Sequence, residues 1–216
     1  MACTAATKYV DTFFEWSTIP TEVSTNEPVT PVNLTVLGTG EWNRIGRRIK
    51  NLWLYVRAEL IWSYNNISLP NGGQIVGNAV RIAFVWDKQP NGGPVPNFNE
   101  IFADTYPNGT SDTSYLSFEN RKNVGRFEVL KEEYLHFVPE VDNIQEDKPV
   151  EVVRVIEREL PICKKSHYLT NVSSNNPEIS DINTGALYII MIAKYESNFG
   201  NSIECIGNAR LVFQDD

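Results

Sequence analysis

Over residues 48–62 the side chains alternate with a period of two. Leu52, Leu54, Val56, Ala58 and Leu60 take one parity, and Asn51, Trp53, Tyr55, Arg57 and Glu59 take the other. A helix would spread these positions around its circumference, so the stretch is a strand with one apolar face. Residues 78–88 repeat the pattern, with Val80, Ile82, Phe84 and Trp86 opposed to Arg81, Ala83, Val85 and Asp87, which predicts a second strand buried mainly on one face. Burying each large apolar side chain of such a row contributes about 1.5–3 kcal/mol, so a one-residue slip that exposes the row is strongly opposed. Pro90, Asn91, Gly92, Gly93 and Pro94 end the second strand, because proline lacks a ladder donor and Asn-Gly supplies the positive φ of a tight turn.

The remaining periodic stretches are also strands. They fall at 32–37, 126–138, 150–160, 166–171, 185–195 and 203–214, which brings the count to eight. Charged residues on both parities around Lys131 to Glu133 predict a bulge or an exposed half in the strand they occupy. The stretch 186–195 is apolar on both parities, as expected of a strand covered on both faces by its own domain or by a neighbouring copy. Residues 89–123 form a long excursion with one helical turn, at 97–102, capped by Asn97. Eight strands without intervening helices predict an all-β fold, a single antiparallel jelly roll of two four-stranded sheets with long loops, spanning 31–216. Residues 1–30 show no sustained periodicity and carry Lys8 as their sole cation. Phe13, Phe14 and Trp16 make them an extended arm that packs on its own domain or on a neighbour.

Charge and motifs narrow the function. The 216-residue chain has a net charge of −8, which opposes simple nucleic-acid binding, yet Arg44, Arg47, Arg48, Lys50 and Arg57 cluster without an acid between them. Glu132, Glu133, Glu140, Asp142, Glu146 and Asp147 form an acidic run, read as solvated sooner than as a calcium site. Cys3, Cys163 and Cys205 fit neither a disulfide framework nor zinc-ligand spacing and are expected to be reduced and mostly buried. Four Asn-X-Ser/Thr matches, at Asn33, Asn66, Asn108 and Asn171, are taken as chance in a turn-rich chain. His136 and His167 lie far apart, and no HExxH, GxSxG or P-loop pattern occurs. The sequence therefore points to no catalytic residue, metal or cofactor, and to no enzyme. No membrane span or signal peptide is indicated.

The order of motifs carries a resemblance. The chain reads GTGEWNRIGRRI at 38–49, VWDKQPNGG at 85–93 and GRFEVLKEE at 125–133, followed at 186–213 by an apolar strand, a polar loop and a last strand. In this order it resembles the capsid proteins of circular, Rep-encoding single-stranded DNA viruses, with a motif order similar to that of geminivirus coat proteins, over 31–216. The resemblance implies a jelly roll that self-assembles in sixty copies into a small icosahedral shell around circular single-stranded DNA, with its N-terminus inside. It also implies residence in the virion and, during assembly, in the host nucleus. Such proteins begin with an Arg-rich arm that binds the genome. Residues 1–30 contain none, so a basic segment upstream of this chain is expected.

On this reading Arg44, Arg47, Arg48 and Lys50, with Trp53 and Tyr55 as stacking surfaces, are the candidates for a nucleic-acid-facing side. The bland alternatives are a solvated charge cluster and aromatic packing at a subunit contact. Asp87, Lys88, Gln89, Pro90, Asn91 and Gly92 are expected to fix the turn or a contact between copies. A reading from a different class is a jelly-roll carbohydrate-binding module, with Trp42, Trp53, Trp62 and Trp86 as its platform. The core parity of Trp86 weighs against it.

Overall fold

The computed structural model describes residues 6–21, 27–64, 78–106, 111–137, 150–169, 176–194 and 202–216. Among these residues there are eight principal strands: β1 (Thr7–Trp16), β2 (Val29–Pro31), β3 (Arg48–Tyr64), β4 (Asn78–Asp87), β7 (Phe127–Phe137), β8 (Val150–Tyr168), β10 (Ala186–Lys194) and β11 (Ser202–Asp215). Two short strands, β5 (Asp104–Thr105) and β6 (Ser111–Asp112), pair within the excursion, and β9 (Ile182–Thr184) flanks the end of β8. One sheet runs β1-β11-β3-β8-β9 and the other β2-β10-β4-β7. Of the eight principal strands the first pairs with the last, the second with the seventh, the third with the sixth and the fourth with the fifth, all antiparallel. That nesting makes the fold a jelly-roll β-sandwich.

Two of the sequence expectations were off in ways that cancel in the strand count. The N-terminal segment packs on its own domain and does so as a strand that was not expected there, because Thr7–Trp16 is an edge strand hydrogen-bonded along its whole length to β11. Its alternation is hidden by Lys8 and Thr12 at inward positions and by Phe13 at an outward one. Lys8 is nevertheless buried, pairing with Asp215 at 2.8 Å and donating to the Asn43 carbonyl at 2.8 Å. Phe14 lies over Gly207, where a Cβ would stand 2.4 Å from its ring. Conversely, the strands expected at 150–160 and 166–171 belong to one strand, β8, which ends at Tyr168. It passes through Pro161 on a stretch where no described strand pairs with its other edge, a position at which proline is tolerated in a sheet. The sheets hold five and four strands because β9 adds to the first.

The strand expected at 32–37 is also displaced. Val29–Pro31 forms the strand that pairs with β10, the Val32 N–H still donates to the Leu187 carbonyl at 2.9 Å, and beyond it the Asn33 side chain takes over the bonding. Asn33 Oδ1 accepts the Leu187 N–H at 2.9 Å, and its Nδ2 donates to Ser166 Oγ at 2.9 Å and to the Gly185 carbonyl at 2.8 Å. Asn33 is thus fully buried and committed, which leaves no room for a glycan on it in the folded chain. Asn66, Asn108 and Asn171 fall outside the described residues.

The main core lies between the sheets and contains Leu54, Val56, Leu60, Trp62, Ile82, Phe84, Trp86, Leu187, Ile189, Met191, Ile203 and Leu211. A second apolar cluster covers the other face of the four-stranded sheet. There Ala83, Val85, Tyr188, Ile190 and Ile192 pack under Phe98, Ile101 and Phe102 of the excursion, whose helical turn α1 spans Phe98–Ile101. β4 is therefore buried at every position, not mainly on one face, and β10 is covered by its own chain. The bulge expected in β7 is present. Phe84 pairs with Lys131 and Val85 with Val129, leaving Leu130 as the extra residue.

Burial separates the cysteines. Cys163 is exposed, contrary to expectation, on a residue with φ of 51°, whereas Cys205 is buried with its Sγ 3.7 Å from Met191 Sδ. Cys3 lies outside the described residues. Burial pushes the Cys205 thiol up to about 12, so at pH 8 it keeps its proton and is no nucleophile. Iodoacetamide at pH 8 should alkylate Cys163 within minutes and spare Cys205 until denaturant is added, as peptide mass spectrometry would read. Equal labelling of both in the folded protein would contradict this packing.

Candidate functional site

Among the described residues no other element covers the outer face of the five-stranded sheet, and a bulge decides what stands on it. Opposite Val212 and Phe213 of β11, β3 carries an extra residue, Leu52. Before it the inward residues are Ile49 and Asn51, and after it they are Leu54, Val56, Ala58 and Leu60. Simple alternation would set Arg48 and Lys50 on the face opposite to Trp53 and Tyr55. The bulge places all four on the same, solvent side.

Register then adds partners from β8. Arg48 stands opposite His167, and Lys50 opposite Lys165, a block of four basic side chains on adjacent strands. Like charges directly opposite one another are unfavourable unless an anion sits between them. Part of that neutralisation comes from Asp216, whose carboxylate accepts from Lys165 Nζ at 2.7 and 2.8 Å. The Lys165 hydrogen bond, and then the charges of Lys165, Arg48 and His167, hold the Asp216 carboxyl below the usual range. Nothing local in the sequence marks Lys165 and His167 as members of this block, because only register fixes which β8 residue faces Lys50.

Arg44 does not belong to this surface. It is buried, with its guanidinium 4.2 Å from the centre of the Tyr168 ring, and it donates to the carbonyls of Thr35 and Gly46. Desolvation is the main influence on it and lowers its pKa. Its role is to hold the 37–47 loop against the sandwich. Arg47, on the same loop, is exposed.

Along the sheet the surface changes character. Beyond the basic block, Trp53 and Tyr55 are each 39% exposed beside Tyr9 of β1. Next come ion pairs across strands, Asp11 to Arg210 at 2.6 Å and Arg57 to Glu157 at 3.2 Å. At the far end Glu15, Ile206, Glu59 and Val155 stand in one cross-strand row, with Glu204, Ile61 and Val153 in the next. The face is therefore basic at one end, aromatic in the middle, and acidic and aliphatic at the other. Of the four tryptophans considered as a sugar platform, Trp62 and Trp86 lie in the core, Trp53 on this face and Trp42 on the 37–47 loop.

The turn after β4 is fixed from within the domain. Asp87 is fully buried. Its Oδ1 accepts the Gln89 N–H at 2.9 Å and Arg126 Nε at 3.0 Å, and its Oδ2 accepts Arg126 Nη2 at 2.8 Å. The Lys88 N–H donates to the Arg126 carbonyl at 2.9 Å, while its ammonium is exposed. Pro90 is buried, and its carbonyl accepts the Gly93 N–H at 2.8 Å. Asn91 and Gly92 take φ of 51° and 68° and donate to the carbonyls of Asn183 and Ile182. The acidic run is partly consumed as well. Glu132 pairs with Arg81 at 3.0 Å, and Glu133 pairs with Arg158 across the open edge of the sandwich at 2.7 Å. Its members at 140–147 lie outside the described residues.

Among the described residues no group of three or more His, Cys, Asp or Glu side chains is placed to hold a metal ion. No protein-family model matches the chain, and no curated protein matches it.

Proposed function

We propose that the chain is a shell-forming jelly-roll subunit. More particularly, we read it as the capsid protein of a circular, Rep-encoding single-stranded DNA virus, assembling in about sixty copies around the genome, in the virion and earlier in the host nucleus. A jelly roll by itself selects no function. What supports this reading is one surface feature joined to the motif order: among the described residues a whole sheet face stands uncovered, with a basic block beside an aromatic shelf.

In this reading Arg48, Lys50, Lys165 and His167 contact phosphates, and Trp53 and Tyr55 offer ring faces to unstacked bases. The start of β1 lies in the same cross-strand row as Lys50, through Gln214, at the basic end of the face. Against the net charge of −8, that end gathers four basic side chains to which a polyanion is attracted.

Negative-stain microscopy of the purified protein should show uniform closed shells. Lys50→Glu combined with Lys165→Glu should leave the shells intact, lower their 260/280 nm absorbance ratio, and flatten the log–log salt dependence of single-strand binding by about 1.4 for two lost phosphate contacts. An unchanged ratio removes the phosphate role. Monomers at every salt and pH overturn the shell and favour the carbohydrate-binding module.

A further inference from the structure

The far half of the open sheet face conflicts with a nucleic-acid-facing role unless something covers it. Glu15, Glu59 and Glu204 have no cation within salt-bridge distance among the described residues, and they would repel phosphates. Between and beside them stand Phe13, 60% exposed, Val155, 68% exposed, and Ile206. An acidic surface with large apolar side chains calls for a partner that is both basic and apolar.

The 37–47 loop has that chemistry, at the opposite end of the same sheet. Trp42 is 59% and Ile45 63% exposed, and Arg47 is exposed on the same loop without an ion pair among the described residues. The loop is held stiffly. The Arg44 N–H donates to the Val36 carbonyl at 2.9 Å, the Gly38 N–H to the Arg44 carbonyl at 2.9 Å, and the Ile45 N–H to Asp215 Oδ1 at 2.8 Å. The buried Arg44 side chain anchors it from beneath. Ordered backbone that holds a tryptophan and an isoleucine out in water is already organised for docking, so little conformational entropy remains to be lost.

We infer that the 37–47 loop of one copy docks, through Trp42, Ile45 and Arg47, on the acidic apolar half of the five-stranded sheet of a second copy, around Glu59, Glu204 and Ile206. This inference rests on the shell reading and deepens it by naming a subunit contact. The two surfaces differ, so the contact is heterologous and repeats from copy to copy, closing where the angle between copies allows. Covering the carboxylates with a neighbour leaves only the basic half of the sheet open to nucleic acid, which reconciles the two halves of one face.

A charge swap tests the contact on the full chain. All three sites are exposed or half-exposed, so the variants should keep the wild-type far-UV spectrum and melting curve. Arg47→Glu, and separately Glu59→Arg with Glu204→Arg, should each raise the protein concentration needed for assembly by about tenfold or more, read by light scattering and microscopy. The three changes together should restore assembly to within about threefold of wild type. Assembly unaffected by the single-side reversals, or lost without recovery in the combination, overturns the contact while leaving the shell standing. If the wild type makes no shells, the shell reading falls by itself. The contact then survives only if sedimentation shows salt-sensitive oligomers that each reversal dissolves and the combination restores, and it falls if the wild type is monomeric throughout.

Discussion

Trp86→Ala should lower the stability of the domain by about 3–5 kcal/mol, the range for truncating a buried aromatic residue in a packed core. Trp86 points between the sheets, and its ring closes over Gly185, where a Cβ would stand 2.6 Å from the ring carbon Cζ2. Gly185 has φ of 80° and gives its carbonyl to Asn33 and Ser166, so the indole roofs the joint where β9 passes into β10. Alanine would leave a cavity that this hydrogen-bonded backbone cannot collapse to fill. For a domain of this size the loss corresponds to a fall in melting temperature of about 10 °C. Trp53→Ala is the control, because Trp53 stands half in solvent on the outer face and its loss should cost about 1 kcal/mol or less. Far-UV circular dichroism through a thermal melt reads both. Equal melting curves for the two variants would mean that the core is not arranged as described.

The strands were legible wherever one parity is apolar throughout, as in β3 beyond its bulge, in β4 and in β11. They were not legible where a buried position is polar. Lys8 and Thr12 hid β1, and Asn33 turned an expected strand into a segment that bonds through its side chain. The count of eight came out right because β1 was missed while β8 was divided in two. The candidate surface was legible only in part, and for a related reason. Residue type marks Arg44, Arg47, Arg48 and Lys50 alike, but a one-residue bulge at Leu52 and a cation–π seat over Tyr168 decide which of them meet solvent. Neither leaves a local sign in the sequence. Lys165 and His167 join the block through register, which is a property of the paired strands and of neither strand alone.

Arg81 shows the same limit, and it carries the second large effect. On β4 it shares a parity with Asp87, which reads as a solvent-facing row, yet both are buried because the excursion lies over that face. The guanidinium donates to the carbonyls of Tyr115 at 3.1 Å and Ser117 at 2.7 Å. It pairs with Glu132 at 3.0 Å and lies 3.7 Å from the centre of the Phe102 ring. One side chain thus ties the sheet to both sides of the covering segment. Arg81→Ala strands two carbonyls and a carboxylate and should cost about 3–5 kcal/mol, as removal of one partner from a buried ionic arrangement does. Arg81→Lys keeps the charge but loses the planar fork and the ring contact, so it should fall in between.

The damage should also be local. Asp87 and Arg126 still pin the far end of the excursion, and α1 still packs its apolar residues on the sheet. Limited trypsin digestion of Arg81→Ala should therefore open Arg121 and Lys122 to cleavage well below the temperature at which the sandwich itself melts. Trp86→Ala should instead lose both together. If Arg81→Ala melts with the wild type and its excursion resists protease equally, the arginine is a passenger, and apolar packing alone holds the cover in place.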